Sequence, residues 1–245
     1  MGTDFAAVAG LLGHPARAAM VDALMSGEPV AAGELARIAG VGPSTASQHL
    51  SRLVAGGVMA VAVQGRQRHY RLAGAEVAEA LEALARICPP TPVRSLSHAS
   101  QRAALGHART CYDHLAGVVG VGLADALVAR AWIVPRGESY ETSPEGEAGL
   151  ADAGVDVAGA RAGRRAFARA CLDWTERRPH VAGALGAAIA ATALGSGWVR
   201  RRAGRTLGVT DTGYEVLHGV FGVPEAVLGR GDGDGVTHLP RAARA

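Results

Sequence analysis

The stretch "VGPSTASQHLSRL", residues 41–53, decides how the first third of the chain is read. Pro43 suits the first turn of a helix, where its missing N–H costs nothing, and Gly42 is a tolerable cap. Ala46, Leu50 and Leu53 recur at i, i+4, i+7 and so share an inward face. Ser44, Thr45, Gln48, His49 and Arg52 are then expected to face outward. The preceding "AAGELARIAGV" forms a short helix ending near Gly40. Two short helices joined by a tight turn, the second with a polar outer face, make a helix-turn-helix pattern.

The flanking segments complete the unit. Helical spacing appears at Val8, Leu11 and Leu12, and again at Met20, Val21 and Leu24, with Pro15 in the first turn of the second helix. Downstream, "GVMAVAVQGRQRHYRLAG" predicts a strand over 58–63, a turn at "QGRQ" and a returning strand over 69–72. This hairpin is a wing, and Arg66 and Arg68 lie at its tip. From Glu76 to Cys88 a further helix carries the stripe Val77, Leu81, Leu84 and Cys88. "PPTPV" at 89–93 ends it as a stiff linker. A first domain over 1–92 follows.

Charge supports a polyanionic partner for this unit. Net charge is only +3, too small by itself to mark a nucleic-acid binder. Its distribution is more telling: no acidic residue lies between Glu34 and Glu76, while Arg37, Arg52, Arg66, Arg68 and Arg71 all do. An α-helix fits the major groove, where serine, threonine, glutamine and arginine reach phosphates and base edges.

The second half contains an internal similarity. "HLAGVVGVGLADALVARAWI" begins at His114 and "HVAGALGAAIAATALGSGWV" at His180, 66 residues later. His114, Ala116, Gly117, Gly120 and Trp132 recur as His180, Ala182, Gly183, Gly186 and Trp198. A hairpin is expected after each tryptophan, in "VPRGESYETSPEG" and "RRRAGRTLGVTDTG". The expectation is a domain over 93–222 of two repeated helix–hairpin, winged-helix-like modules, then a flexible tail over 223–245. The fold class is mainly α with small β-hairpins. Val181 to Val199 is uncharged and 19 residues long, but its alanines and glycines, and its similarity to a segment carrying Asp125 and Arg130, favour a buried helix over a membrane span.

The sequence "LLGHPARAAMVDALMSGEPVAAGELARIAGVGPSTASQHLSRLVAGGVMAVAVQGRQRHYRLAG" resembles the winged-helix domain of the ArsR/SmtB family of bacterial repressors, over roughly residues 5–88. The resemblance implies a homodimer that binds double-stranded operator DNA at an inverted repeat and is released by an inducer. It places the recognition helix at 43–55, with Ser44, Thr45, Ser47, Gln48 and His49 toward the groove and Arg66 and Arg68 as the wing; the acid-free window adds Arg37 and Arg52 as candidate DNA contacts. The first helix and the 77–88 stripe would form the dimer interface. The family's familiar metal sites are missing or degraded: "ELARIAG" has no cysteine, and Glu76, Glu79 and Glu82 have no histidine beside them.

The inducer is therefore sought in the second half. "GHARTCYDHLAG" spaces His107, Cys111 and His114 as on one helical face, and thiolate with imidazole suits zinc or another transition metal. "CLDWTERRPH" adds Cys171, Asp173, Glu176 and His180. A small apolar effector is the alternative, in a pocket lined by Tyr112, Trp132, Trp174 and Trp198; thiol oxidation or plain core roles are others. Cys111, His114 and Asp173 also admit a nucleophile set, but no spacing identifies an active site and no phosphate loop is present, so a regulator is expected rather than an enzyme. "DGDG" in the tail lacks the remaining ligands of a calcium loop. With no export signal, a cytoplasmic protein with reduced thiols is expected.

Overall fold

The computed structural model describes residues 3–64, 67–89 and 96–229. Contacts divide the chain into two units, residues 1–90 together with Thr110–Tyr112, and residues 91–109 together with 113–245.

The first unit runs α1 (Phe5–Leu12), α2 (Pro15–Ala23), β1 (Val30–Ala31), α3 (Ala32–Ala39), α4 (Pro43–Ala55), β2 (Met59–Gln64), β3 (Gln67–Leu72) and α5 (Ala75–Ala85). The strands form one antiparallel sheet in the order β1-β3-β2, with Met59 opposite Leu72 and Gln64 opposite Gln67. This is a winged helix-turn-helix. Met20, Leu24, Leu35, Leu50, Leu53 and Leu72 are fully buried and join helices to sheet. Arg17 is buried with them, and its guanidinium donates to the Gly10 and Leu11 carbonyls at the end of α1. Those carbonyls have no partner within the helix, so a basic side chain there stabilises its C-terminus.

The second unit begins with α6 (Leu96–His107) and the first residue of β4 (Arg109–Cys111), whose other two residues count with the first unit, and continues through β5 (His114–Ala116), α7 (Gly117–Ala129), β6 (Ile133–Arg136), β7 (Ser139–Thr142), α8 (Pro144–Asp152), α9 (Val157–Ala162), β8 (Arg169–Leu172), β9 (Pro179–Ala182), α10 (Gly183–Gly195), β10 (Val199–Arg201), β11 (Leu207–Val209), α11 (Asp211–Tyr214), a π-helical turn and α12 (Glu225–Leu228). The hairpins expected after Trp132 and Trp198 are β6–β7 and β10–β11. Each of the 13-residue helices α7 and α10 follows a strand and precedes a hairpin.

The strands interleave. β6–β7 joins β8–β9 in one four-stranded sheet, with Ser139 opposite Arg169 and the Tyr140 N–H donating to the Ala168 carbonyl. β10–β11 reaches back to β4, through the bridge of Arg109 to Thr206 and the bond from the Leu207 N–H to the Ala108 carbonyl. Each hairpin thus lies beside the strands leading into the other long helix. Leu127, Ile133, Leu150, Leu185, Leu217 and Phe221 fill the space between.

Glycine makes the matching close approaches possible. Gly117 and Gly183 open α7 and α10 at φ 78° and 79°, where an L side chain is strained. A Cβ at Gly146 would overlap the Trp132 carbonyl, and one at Gly213 the Trp198 carbonyl. Beside these contacts Ser143 and Thr210 cap the following helices, accepting from the N–H of Gly146 and Gly213.

Two expectations change. His107, Cys111 and His114 do not share a helix: α6 ends at His107, and the other two lie on β4 and β5. A strand pair inserted after "GHA" replaces the helical spacing by period two. The segment after Val223 does not begin as a loose tail, since Val223 and Leu228 are buried in the core and α12 lies between them; residues 230–245 lie outside those described. Among the described residues no helix is long and apolar enough to cross a membrane. α10, with 13 residues, spans about 20 Å, short of the ~30 Å hydrocarbon layer.

Replacing Gly213 or Gly146 by alanine should cost about 1–3 kcal/mol, the range for forcing an extra methyl into a packed interior. Gly195→Ala, with nothing within 4 Å of its Cβ, should stay within about 0.5 kcal/mol of the parent. Urea denaturation of the three variants measures the difference.

Candidate nucleic-acid interface and a buried cysteine–histidine cluster

α4 presents Ser44, Thr45, Ser47, Gln48, Ser51 and Arg52 to solvent, while Ala46, Leu50 and Leu53 are buried. No acidic side chain lies on this helix. Arg68 on β3 is exposed as well; Arg66, the other wing residue, lies outside the described residues. Arg37 is exposed but held by Glu34, which accepts from it at 2.9 and 2.5 Å. This contact lowers the Glu34 pKa and raises that of Arg37. In water such a pair is weak and can exchange for a phosphate.

His49 departs from the expected face. It is only 8% exposed, its ring tilted against that of His14 with centres 4.5 Å apart, and its Nδ1 lies 3.5 Å from the Arg17 guanidinium. Burial pushes its pKa down, helped by the nearby positive charge of His14, Arg17 and Arg52. It positions α4 against α2 instead of offering a side chain to the outside. Three residues before Arg52 and one before Leu50, it lies at the margin of the helix's two faces, where spacing alone assigns neither.

The second cluster gathers Cys111, His114, Cys171 and His180, whose donor atoms all lie within 4.8 Å of one another. Cys111 and His114 come from the paired strands β4 and β5, Cys171 and His180 from the paired strands β8 and β9. The imidazoles stand 5.0 Å apart. His107 is elsewhere, its Nε2 3.0 Å from the Val227 carbonyl.

Two carboxylates flank the imidazoles. Asp113 Oδ1 lies 3.2 Å from His114 Nδ1, and Arg165 pairs with the same carboxylate. Burial opposes ionisation of Asp113, yet His114 and Arg165 hold its pKa down at about 2. Burial likewise opposes charging of His114, but Asp113 and Cys171 outweigh it and raise its pKa. Asp173 is fully buried, 3.5 Å from His180 Nδ1. It accepts from Arg109 at 2.8 Å, from the Gly117 N–H at 2.7 Å, and from the Thr175 hydroxyl and the backbone N–H groups of Thr175 and Glu176. Burial alone would raise its pKa; Arg109 and these donors hold it well below the usual carboxylate range.

The aromatic side chains do not line one pocket. Trp132 and Trp198 both pack on Phe221, at 5.9 and 5.6 Å between ring centres. Trp174 lies beneath the Arg109 guanidinium, and Tyr112 packs against the core of the first unit. Large flat residues in an alanine- and glycine-rich chain are the obvious core fillers. The sequence carries a signal for this pairing: Arg109, Cys111 and Asp113 recur 60 residues later as Arg169, Cys171 and Asp173, whereas the histidines are 66 apart.

Asp173→Ala should destabilise the chain by about 3–5 kcal/mol, because Arg109 would remain buried without its counter-charge. Glu141→Ala, which breaks the exposed pair with Arg136, should cost no more than about 1 kcal/mol. Urea midpoints separate the two.

A helix-turn-helix domain model matches residues 12–62. The HTH-type transcriptional regulator YdfF of Bacillus subtilis is 40% identical over 214 residues, covering 87% of this chain and 95% of that protein. Among solved structures, the homodimeric winged helix-turn-helix DNA-binding domain of Mb0332 from Mycobacterium bovis is 29% identical, covers 32% of this chain and 72% of its own, and superposes with a TM-score of 0.30. The cadmium sensor CMTR of Mycobacterium tuberculosis is 29% identical, covers 38% and 99%, and also has a TM-score of 0.30. Identity with YdfF over 87% of this chain and 95% of that protein makes this protein a member of the HTH-type transcriptional regulators, with the matched helix-turn-helix domain in its first third.

Proposed function

We propose that the protein is a cytoplasmic, dimeric repressor that binds an inverted-repeat operator through α4 and the β2–β3 wing, and that its C-terminal unit responds to the effector that releases it. The observation that carries this reading is the exposed row Ser44, Thr45, Ser47, Gln48 and Arg52 on a helix without an acidic group. Hydroxyl and amide groups at the start of such a helix read base edges, and Arg52 near its end neutralises phosphate. Arg68 extends the basic surface along the wing.

Dimerisation is supported by apolar surface on the first unit that its own core leaves uncovered. Phe5 is 80% and Ile87 80% exposed, and Val8 and Leu84 are also open to solvent. A second copy would bury such side chains symmetrically, and two-fold symmetry in the protein calls for two-fold symmetry in the DNA. We also infer that the C-terminal unit arose by duplication of a helix–hairpin module. The paired glycine approaches and the reciprocal strand additions support this, and a duplicated unit offers the paired surfaces an effector can bridge.

Fluorescence anisotropy on labelled DNA from upstream of the protein's own gene tests the reading at two salt concentrations. The expected result is specific binding that weakens steeply with salt. Arg52→Ala should cost about 1–3 kcal/mol of binding at unchanged melting temperature, whereas His49→Ala should lower the melting temperature, because His49 is packed inside. Equal affinity for Arg52→Ala and the parent would remove α4 from the interface.

A further inference from the structure

We infer that Cys111, His114, Cys171 and His180 form a binding site for one thiophilic divalent transition metal ion, zinc being the type. Two thiolates and two imidazoles are the donor set of closed tetrahedral zinc sites, and their combined charge of about −2 balances the ion's own.

The geometry is close to what such an ion needs. Bonds of about 2.0–2.3 Å in a tetrahedron put ligand atoms roughly 3.3–3.8 Å apart. The four donors already lie within 4.8 Å of one another, so small side-chain rotations bring them in. Three of the donors are buried, His180 at 0%, Cys111 at 1% and His114 at 5% exposure, and Cys171 is half-buried.

The imidazoles are unsatisfied as they stand. His114 Nε2 and both ring nitrogens of His180 are buried without a hydrogen-bond partner. A buried polar atom left unpaired costs about 1–3 kcal/mol, so the Nε2 atoms of both histidines point to a missing partner. The carboxylates indicate which atoms are meant for it. Asp113 lies on Nδ1 of His114, and Asp173 beside Nδ1 of His180. Each leaves Nε2 turned to the cluster, and a carboxylate behind a histidine is how metal-binding imidazoles are oriented and made more basic.

The site is also built twice in the sequence. The spacing Arg-x-Cys-x-Asp occurs at 109–113 and at 169–173, and each copy is followed by its histidine, at 114 and at 180. Each half supplies one thiol and one imidazole, and neither half alone suffices. With four protein donors the coordination is closed and holds no position for a substrate, so the ion serves structure or signalling. Binding displaces the two thiol protons to solvent. The ion would give the proposed regulator an inorganic effector or a fixed C-terminal unit; only that use rests on the repressor reading, and metal binding does not.

The test is titration of the reduced, metal-stripped full-length protein with Co2+ alone, under anaerobic conditions. One Co2+ per chain with the intense visible bands of tetrahedral coordination and sulfur-to-metal absorption in the near ultraviolet is expected. Cys171→Ser and His180→Gln should each lose the tetrahedral spectrum, Cys88→Ser should keep it, and Asp113→Asn should bind about 10–100-fold more weakly. Zn2+ should displace Co2+ stoichiometrically. Absence of tetrahedral bands in the parent protein would overturn the assignment whatever the variants do. Bands that persist in both Cys171→Ser and His180→Gln would do the same, as would reduced protein that takes up no Co2+ and forms a Cys111–Cys171 disulfide on exposure to air. None of these readouts involves DNA, so failure here and failure of the repressor reading are separate results.

Discussion

The Asp173 carboxylate ties the C-terminal unit together. Fully buried and ionised, it gathers the Arg109 guanidinium, the first N–H of α7 and the N–H groups of the turn that follows it. A buried carboxylate is costly to desolvate unless nearly every lone pair is used, and here they are used by groups from three places in the chain. β4, the start of α7 and the loop before β9 are therefore held in one arrangement. That arrangement sets His180 beside Asp173 and carries Cys111 and Cys171 to within reach of both histidines. Ser139 opposite Arg169, and Arg109 opposite Thr206, repeat the linkage on the two sides of the unit.

The first unit follows different physics. Its α4 has one buried row, Ala46, Leu50 and Leu53, and one exposed polar row, so a single helix both closes the core and displays a readable surface. His49 and Arg17 fix the pitch of that helix from behind. Arg17 does so while capping α1, which makes the orientation of the exposed row depend on a residue 35 positions before Arg52. In the C-terminal unit the polar groups are turned inward instead, onto one another. The two units thus separate surface chemistry suited to a polyanion from buried chemistry suited to a small, highly charged ligand.

Local pattern was legible where one period governed. The spacing of Leu35, Leu50 and Leu53, the turn at Gly40–Gly42 and the alternation over 59–72 were sufficient for the winged helix, and each tryptophan with its following turn residues marked a hairpin. Reading failed where the period changed within a few residues. His107, Cys111 and His114 fit a helical face on paper, but the chain leaves α6 at His107 and turns to strand, which removes His107 and brings in Cys171 and His180 from 60 and more residues away. The side on which His49 lies is not set by spacing, because a helix with a narrow apolar stripe leaves its margins undetermined and the approach of His14 and Arg17 decides them. Of the two readings open for the aromatic residues, pocket or core, Trp132 and Trp198 follow the core one, meeting on Phe221, to which no local spacing links them.

The most direct test of the regulator account is a nuclease footprint of the intact protein on the DNA upstream of its own gene. The account predicts two protected half-sites of inverted sequence, with centres about one helical turn apart. Protection of a single, asymmetric half-site, or uniform protection indifferent to sequence, would contradict it.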